Sequence, residues 1–331
     1  MKPAAARQKG RDLTEWYTTF GETEARGQSA IYEQWALGIA GDPDIQALLL
    51  TMPLQKRQPN LVFATARLLG APVGPYAPFR HWLVDNFAAV AAEAEQRMTQ
   101  TNEARRCASL LPALALIDGP IALLEVGASA GLCLYPDRYA YRYDGGPVLG
   151  DSTVLLESST TGPVPVPTAL PEIVWRAGVD LHPLDVLDPD DMRWLETLVW
   201  PEQHERRERL LAAIEIAKAD PPHLVAGDAL SAVAALAAEA PDDATLVIIT
   251  SGVLVYLPAA ERARFAEQVR ALDARWISLE GRGALPAVEA RLPEARLPEA
   301  APAGMPGRFV VALDEHPLAF TGPHGQSLDW F

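Results

Sequence analysis

Two periods of apolar residues divide the chain. Up to about residue 115 they recur at helical spacing. "ARGQSAIYEQWALGIAGD" offers Ser29 as a cap and Gly41 near its stop, and "DPDIQALLLTMP" is a short helix closed by Pro53. "QPNLVFATARLLG" begins at Pro59 and ends before Gly70, the usual asymmetry of helix ends. "FRHWLVDNFAAVAAEAEQRM" is a further helix. "TQTNEARRCASLLPALALIDG" reads as another, capped by Thr101 or Asn102 and ending near Gly119. From residue 121 onwards, short apolar runs alternate with helical stretches, as in a parallel sheet with crossover helices.

The strands expected in that half are "IALLEVG", "YAYRYD" (139–144) as the second, "HLVAGD" (223–228), "TLVIITSG" (245–252) and "RWISLEG" (275–281). An antiparallel pair closes the chain. "EARLPEARLP" (289–298) repeats five residues and reads as a connector. Residues 145–222 read as an insertion whose back half is one helix, or two broken at Pro201. The expected fold is α/β: a doubly wound, mostly parallel seven-stranded sheet with an antiparallel C-terminal strand. A helical cap (1–115) precedes this Rossmann-like domain (116–331).

Composition narrows the class of partner. Of 331 residues, 49% are hydrophobic and 21% charged, as in a globular protein, and no apolar run approaches the ~20 residues of a membrane span. The start is basic but lacks the apolar segment of a secretory signal, so a cytoplasmic protein without a membrane partner is expected. A formal charge of -15 repels a phosphate backbone, and the one dense basic run, "HERRER" (204–209), carries its own glutamates. Nucleic acid is therefore not expected. Two cysteines and six histidines give no metal-ligand spacing, so no metal site is expected either. The oligomeric state is not legible.

The chemistry centres on "LLEVGASAGL" (123–132). A strand ending in a glycine turn, followed by a helix, presents free amides and a helix dipole to a ligand. The spacing G-x-x-x-G does not match the G-x-G-x-x-G of dinucleotide binders, which disfavours a nicotinamide-dependent oxidoreductase. Glu125, Gly127, Ala128, Ser129 and Gly131 instead resemble motif I of class I S-adenosylmethionine-dependent methyltransferases, with Ser129 where glycine is commonest. That resemblance implies a ribose-binding acid at the end of the next strand, for which Asp144 and Asp180 compete. It also implies an adenine contact at Asp228 and Ala229 in "VAGDAL". Ser251 and Tyr256 in "TSGVLVYLP" fall where such enzymes place residues that touch substrate, and Glu280 sits at the next strand's end.

Helices leading into parallel strands begin at the sheet's carboxyl edge. Thr101, Asn102, Glu103 and Arg106 should therefore share a substrate-facing wall with Glu202, Gln203 and Arg206. The bland alternative is helix capping, with Pro201 at a first helical position. Over residues 20–330 the chain is similar to a bacterial family of unknown function with a methyltransferase-like core. The similarity lies in "KRQPNL" (56–61), "QTNEARRC" (100–107), "LLEVGASAGLCL" (123–134), "GVDLHPLDV" (178–186), "LVWPEQHERRERLLAAIE" (198–215) and "GDA" (227–229). The motif I resemblance implies S-adenosylmethionine as cofactor, and an unidentified small polar molecule is the expected substrate. A catalytically silent binding protein of the same fold is the alternative.

Overall fold

Residues 12–293 and 308–331 are described by the computed structural model, so the second half of the "EARLPEARLP" connector lies outside the described residues. The N-terminal helices are α1 (Leu13–Thr19), α2 (Ala30–Ala40), α3 (Pro43–Leu49), α4 (Pro59–Leu68) and α5 (Tyr76–Gln96), with a π-helical turn Phe20–Ala25 after α1. Ser29 caps α2 by accepting from the Tyr32 amide, and Asp42 caps α3 ahead of Pro43. Aromatic residues fill the centre of this lobe. The Trp35 and Phe79 rings stack with centroids 3.7 Å apart, and Phe63 meets both edge-on.

The sheet has ten strands, not seven, and is mostly parallel. In chain order they are β1 (Ile121–Val126), β2 (Ala140–Tyr143), β3 (Leu155–Thr161), β4 (Ile173–Asp180), β5 (His223–Ala226), β6 (Thr245–Ser251), β7 (Arg275–Gly281), β8 (Phe309–Leu313), β9 (His316–Thr321) and β10 (Ser327–Trp330). Their spatial order is β2-β3-β10-β9-β8-β7-β6-β1-β4-β5. The pairs β7–β8, β8–β9 and β9–β10 are antiparallel, and the other six are parallel. The closing segment is thus a three-stranded meander, and its last strand joins β3.

Alternation along the central strands sends side chains to two cores. Leu123, Val247 and Ile249 face α6 (Cys107–Leu114) and α8 (His204–Ala219). Ala122, Leu124, Val126 and Ile248 face α9 (Ala229–Ala237) and α10 (Ala259–Arg270). Burying each large apolar side chain contributes roughly 1.5–3 kcal/mol, so the double-faced burial of β1 and β6 fixes the middle of the sheet. The helical lobe keeps its own core from Leu13 to Ala94, joined by Trp194 of α7 (Pro189–Leu198). Residues from Ala104 onward already pack into the sheet's core, so the helical core ends before residue 115.

Three local expectations need correction. β2 is a strand but lies at the far edge of the sheet; β1's neighbour is β4, inside the supposed insertion. The turn after β1 leads only to a three-residue 3-10 turn, Leu132–Leu134, not to a helix. Neither Thr101 nor Asn102 caps the segment before β1. Glu103 caps the 3-10 turn Ala104–Arg106, which runs into α6. The insertion's back half is indeed two helices, but Pro201 lies in the turn between them and α8 starts at His204.

Candidate functional site at the carboxyl edge

From β1 the sheet proceeds to β4 and β5 on one side and to β6 and β7 on the other. In open α/β sheets, ligands bind outside the carboxyl ends of the strands at such a reversal. The turn Gly127–Leu132 occupies this place, and five of its six amides are bonded within the protein. Gly127 and Ala128 donate to the Val179 carbonyl, and Gly131 donates to that of Ala128. The Ser129 amide donates to Asp180 Oδ2 at 2.9 Å, and the Leu132 amide to Asn102 Oδ1 at 2.9 Å. Asn102 Nδ2 donates back to the Ala128 carbonyl at 3.1 Å, so Asn102 clamps the turn from both sides.

Gly127 has φ +76°, and a Cβ built there would lie 2.6 Å from Val253 Cγ2. The glycine is therefore required by the left-handed backbone and by the β6 loop pressing on it. Residues Ala128 to Pro136 are buried. Two polar atoms at the turn have no hydrogen-bond partner: Glu125 Oε2 and Ser129 Oγ. Burial first, then the neighbouring Cys133, pushes the Glu125 carboxyl well above the carboxylate range, which favours its neutral form.

Beside the turn lies a cluster of charged side chains. Glu103, only 3% exposed, meets Arg206 Nε at 2.9 Å and Arg209 Nε at 2.9 Å. Burial pushes the Glu103 carboxyl up, but the two guanidiniums outweigh it and bring it to about 2. Arg106 donates to the Ser251 carbonyl at 2.7 Å and to the Pro323 carbonyl at 3.0 Å. Arg105 donates to the His324 carbonyl at 3.2 Å. The 322–325 turn sits tightly on this segment. Gly325, at φ +76°, could not carry a Cβ without meeting the Arg105 carbonyl oxygen at 2.1 Å. Burial, then Arg206 and Arg106, holds the His324 imidazole down at about 3, so it is neutral, and its Nδ1 has no partner.

At the end of β7, Glu280 accepts from the Val253 and Leu254 amides at 3.2–3.3 Å, and burial pushes its carboxyl up to about 7. Arg106 lies close enough to oppose that shift. The Ser251 hydroxyl is buried and unpartnered. Tyr256 is 71% exposed, with Arg106, Glu280 and Glu24 as the charged groups around its phenol. Glu24 belongs to the π-helical turn of the N-terminal lobe, so that lobe reaches the sheet edge here.

The expected wall is therefore assembled in part. Asn102, Glu103, Arg106, Arg206, Ser251 and Tyr256 gather around the β1 and β6 ends. Gln203 supports Arg206 through a 3.0 Å hydrogen bond. Thr101 is exposed and takes no such part. Glu202 turns away from the cluster, accepting from Ser29 Oγ at 2.6 Å and the Ile31 amide at 2.8 Å, and so ties α2 to the segment before α8. Asp180 sits at the end of β4 beside the turn, its Oδ1 accepting from the His182 amide at 2.9 Å. Asp144 is seven strands away in the sheet order and binds the amide and hydroxyl of Thr160. Asp228 caps α9 through the Leu230 amide, and Ala229 is the first residue of that helix.

Arg105, Arg209 and His324 carried no role in the sequence reading. Arg209 shares the face of Arg206, three residues on, which is the one signal that could have found it. His324 lies in a turn far from any motif, and only the tertiary packing of the C-terminal meander brings it in. Together the fold and this edge define an α/β protein with a buried arginine–carboxylate cluster at the point where its strand order reverses.

The chain belongs to the family described as "Uncharacterized protein conserved in bacteria (DUF2332)", whose model matches residues 70–330. That stretch contains α5, the whole sheet and every residue of the cluster. No curated protein and no solved structure matches the chain. Among the described residues, no helix is long and apolar enough to cross a membrane.

Proposed function

We propose that this protein is an S-adenosylmethionine-dependent methyltransferase acting on a small polar molecule at the carboxyl edge of β1 and β6. One observation carries the reading. Three neighbouring strands, β1, β4 and β5, bear an acid at or just beyond their carboxyl ends, namely Glu125, Asp180 and Asp228, beside the reversal of strand order. In this reading β5-β4-β1-β6-β7, with helices on both faces, is a doubly wound, Rossmann-like core, and the remaining strands extend it.

The unpartnered Glu125 Oε2 and Ser129 Oγ fit such a cofactor, because buried polar atoms without partners are satisfied by a polar ligand. Asp180 would take the ribose hydroxyls and Asp228 the adenine end. When bound, the cofactor supplies an activated methyl group, so alignment of the acceptor provides most of the rate. Glu280, poised near neutrality, can take a proton from an oxygen or nitrogen acceptor, and Arg106 beside it favours its ionised form. Tyr256 and Arg206 orient the acceptor. Titration calorimetry with S-adenosylmethionine, followed by assay for demethylated cofactor across candidate metabolites, tests the proposal; a folded protein that ignores the cofactor at millimolar concentration overturns it.

A second reading, a binding protein without methyl transfer, is favoured by the turn itself. Its amides at Gly127, Ala128, Ser129, Gly131 and Leu132 are already bonded, and no helix follows to lend a dipole. Ligand binding without demethylated product across the metabolite set would select this reading.

A further inference from the structure

Four guanidiniums meet where the turn before α6 faces the start of α8. Arg206 and Arg209 share the single carboxylate of Glu103. Arg105 and Arg106 spend their hydrogen bonds on the carbonyls of His324, Pro323 and Ser251, which are neutral and leave their charge uncompensated. The other acids nearby compensate in part: burial favours the neutral form of Glu125, Glu280 is only partly ionised near pH 7, Glu205 faces solvent in the first turn of α8, and Glu24 lies towards the Tyr256 phenol. In a chain of formal charge -15, this is a local excess of positive charge.

Crowded, partly buried cations are costly unless an anion joins them. The strain registers on the groups themselves. Burial first, then the neighbouring guanidiniums, holds Arg105 and Arg206 below the ordinary arginine range. Independent of charge, Ser251 Oγ (in a residue 7% exposed) and His324 Nδ1 have no partner beside these arginines. The helix α8, 16 residues long, also begins without a side-chain cap, because Gln203 directs its amide oxygen to Arg206.

We infer that this cluster receives an anionic group, a carboxylate or phosphate carried by a small molecule, among Arg106, Arg206 and Arg209, with Ser251 and His324 as its polar neighbours. It deepens the proposed function by assigning the substrate an acidic group, and rests on that reading only in calling the ligand a substrate. The guanidinium forks match both oxyanion geometries. Once the anion is seated, the part of the His324 depression that Arg206 and Arg106 add to burial is relieved, and its imidazole protonates at higher pH than before.

The test uses the full chain and no cofactor. Inorganic phosphate and succinate are titrated calorimetrically at constant ionic strength against a chloride background, and His324 is followed by NMR. Saturable binding of one anion is expected, about tenfold or more weaker in Arg206→Gln, since a charge-assisted bond is lost. It should be unchanged in Arg207→Gln, whose guanidinium pairs with Glu196 on α7. The better ligand tells phosphate from carboxylate, and the His324 pKa should rise from about 3 on saturation. Should Arg206→Gln fail to fold, Arg209→Gln, at another of the three assigned guanidiniums, replaces it. Anion binding without cofactor binding would support the inference while sinking the methyltransferase reading. No saturable binding of either anion, or binding indifferent to the arginine variant, would overturn it.

Discussion

Glu103 Oε2 lies 2.9 Å from Arg206 Nε, joining the turn before α6 to the first turn of α8. Glu103 Oε1 makes the matching contact with Arg209, so one carboxylate holds two guanidiniums in a nearly dry setting. Removing one partner of a buried ion pair typically costs about 3–5 kcal/mol, because the survivors stay buried and unpaired. Glu103→Gln should lower the stability measured by urea unfolding by about that amount. A loss below about 1 kcal/mol would mean the pair is solvated. The contribution has a definite pH window. With its folded pKa depressed to about 2 from 4.5, it is present above about pH 4.5 and is lost as pH falls through about 2.

Asp180 and Asp144, which compete in the sequence, are separated by the fold: Asp180 lies beside the turn and Asp144 at the far edge of the sheet. Asp180→Ala removes the acceptor of the Ser129 amide and the acid beside the turn, so it should weaken S-adenosylmethionine binding about tenfold or more. Asp144→Ala, at the far edge of the sheet, should leave affinity unchanged. Equal losses in calorimetry would refute this assignment.

At Gly127 the conflict is with protein, not ligand. Gly127→Ala must accept φ +76° and push a Cβ against Val253, so a fall in melting temperature is expected. Adding Val253→Ala removes the 2.6 Å contact but leaves Val253 Cβ at 2.8 Å, so it should recover part of the steric cost and none of the backbone part of roughly 1–2 kcal/mol. A double variant no more stable than the single would show that Val253 is not the obstacle.

The edge carries two groups that titrate against each other. His324, depressed to about 3 from 6.5, contributes stability that is full above about pH 6.5 and lost as pH falls towards 3. Glu280 is raised to about 7 from 4.5, so its contribution is full below about pH 4.5 and lost as pH rises through 7. Urea midpoints against pH should flatten on the acid side in His324→Gln and between about pH 4.5 and 7 in Glu280→Gln. Identical profiles for both variants and the parent would contradict the shifts.

What could be read without coordinates followed local physics. β1, β6 and β7 are dense apolar runs, and Ser29, Gly41 and Pro59 punctuate helices as their backbone chemistry demands. β4 showed only as an apolar run before Asp180, because Arg176 interrupts it, a charge met by Asp137, the Leu134 carbonyl and the Tyr135 ring. "YAYRYD" announced a strand, but no local pattern states which strand it joins. The wall showed the same division. Asn102, Glu103 and Arg206 were legible from the rule that helices feeding parallel strands start at one edge. Glu202 has the same placement in sequence, yet it faces the amide at the start of α2. His324 arrives through a meander whose pairing is entirely non-local.

The most direct test of the account is isothermal titration of the intact protein with S-adenosylmethionine, run beside Asp180→Ala. The methyltransferase reading predicts saturable binding by the parent and a loss of about tenfold or more in the variant. A folded parent that releases no heat of binding and shows no thermal shift with millimolar cofactor would contradict it.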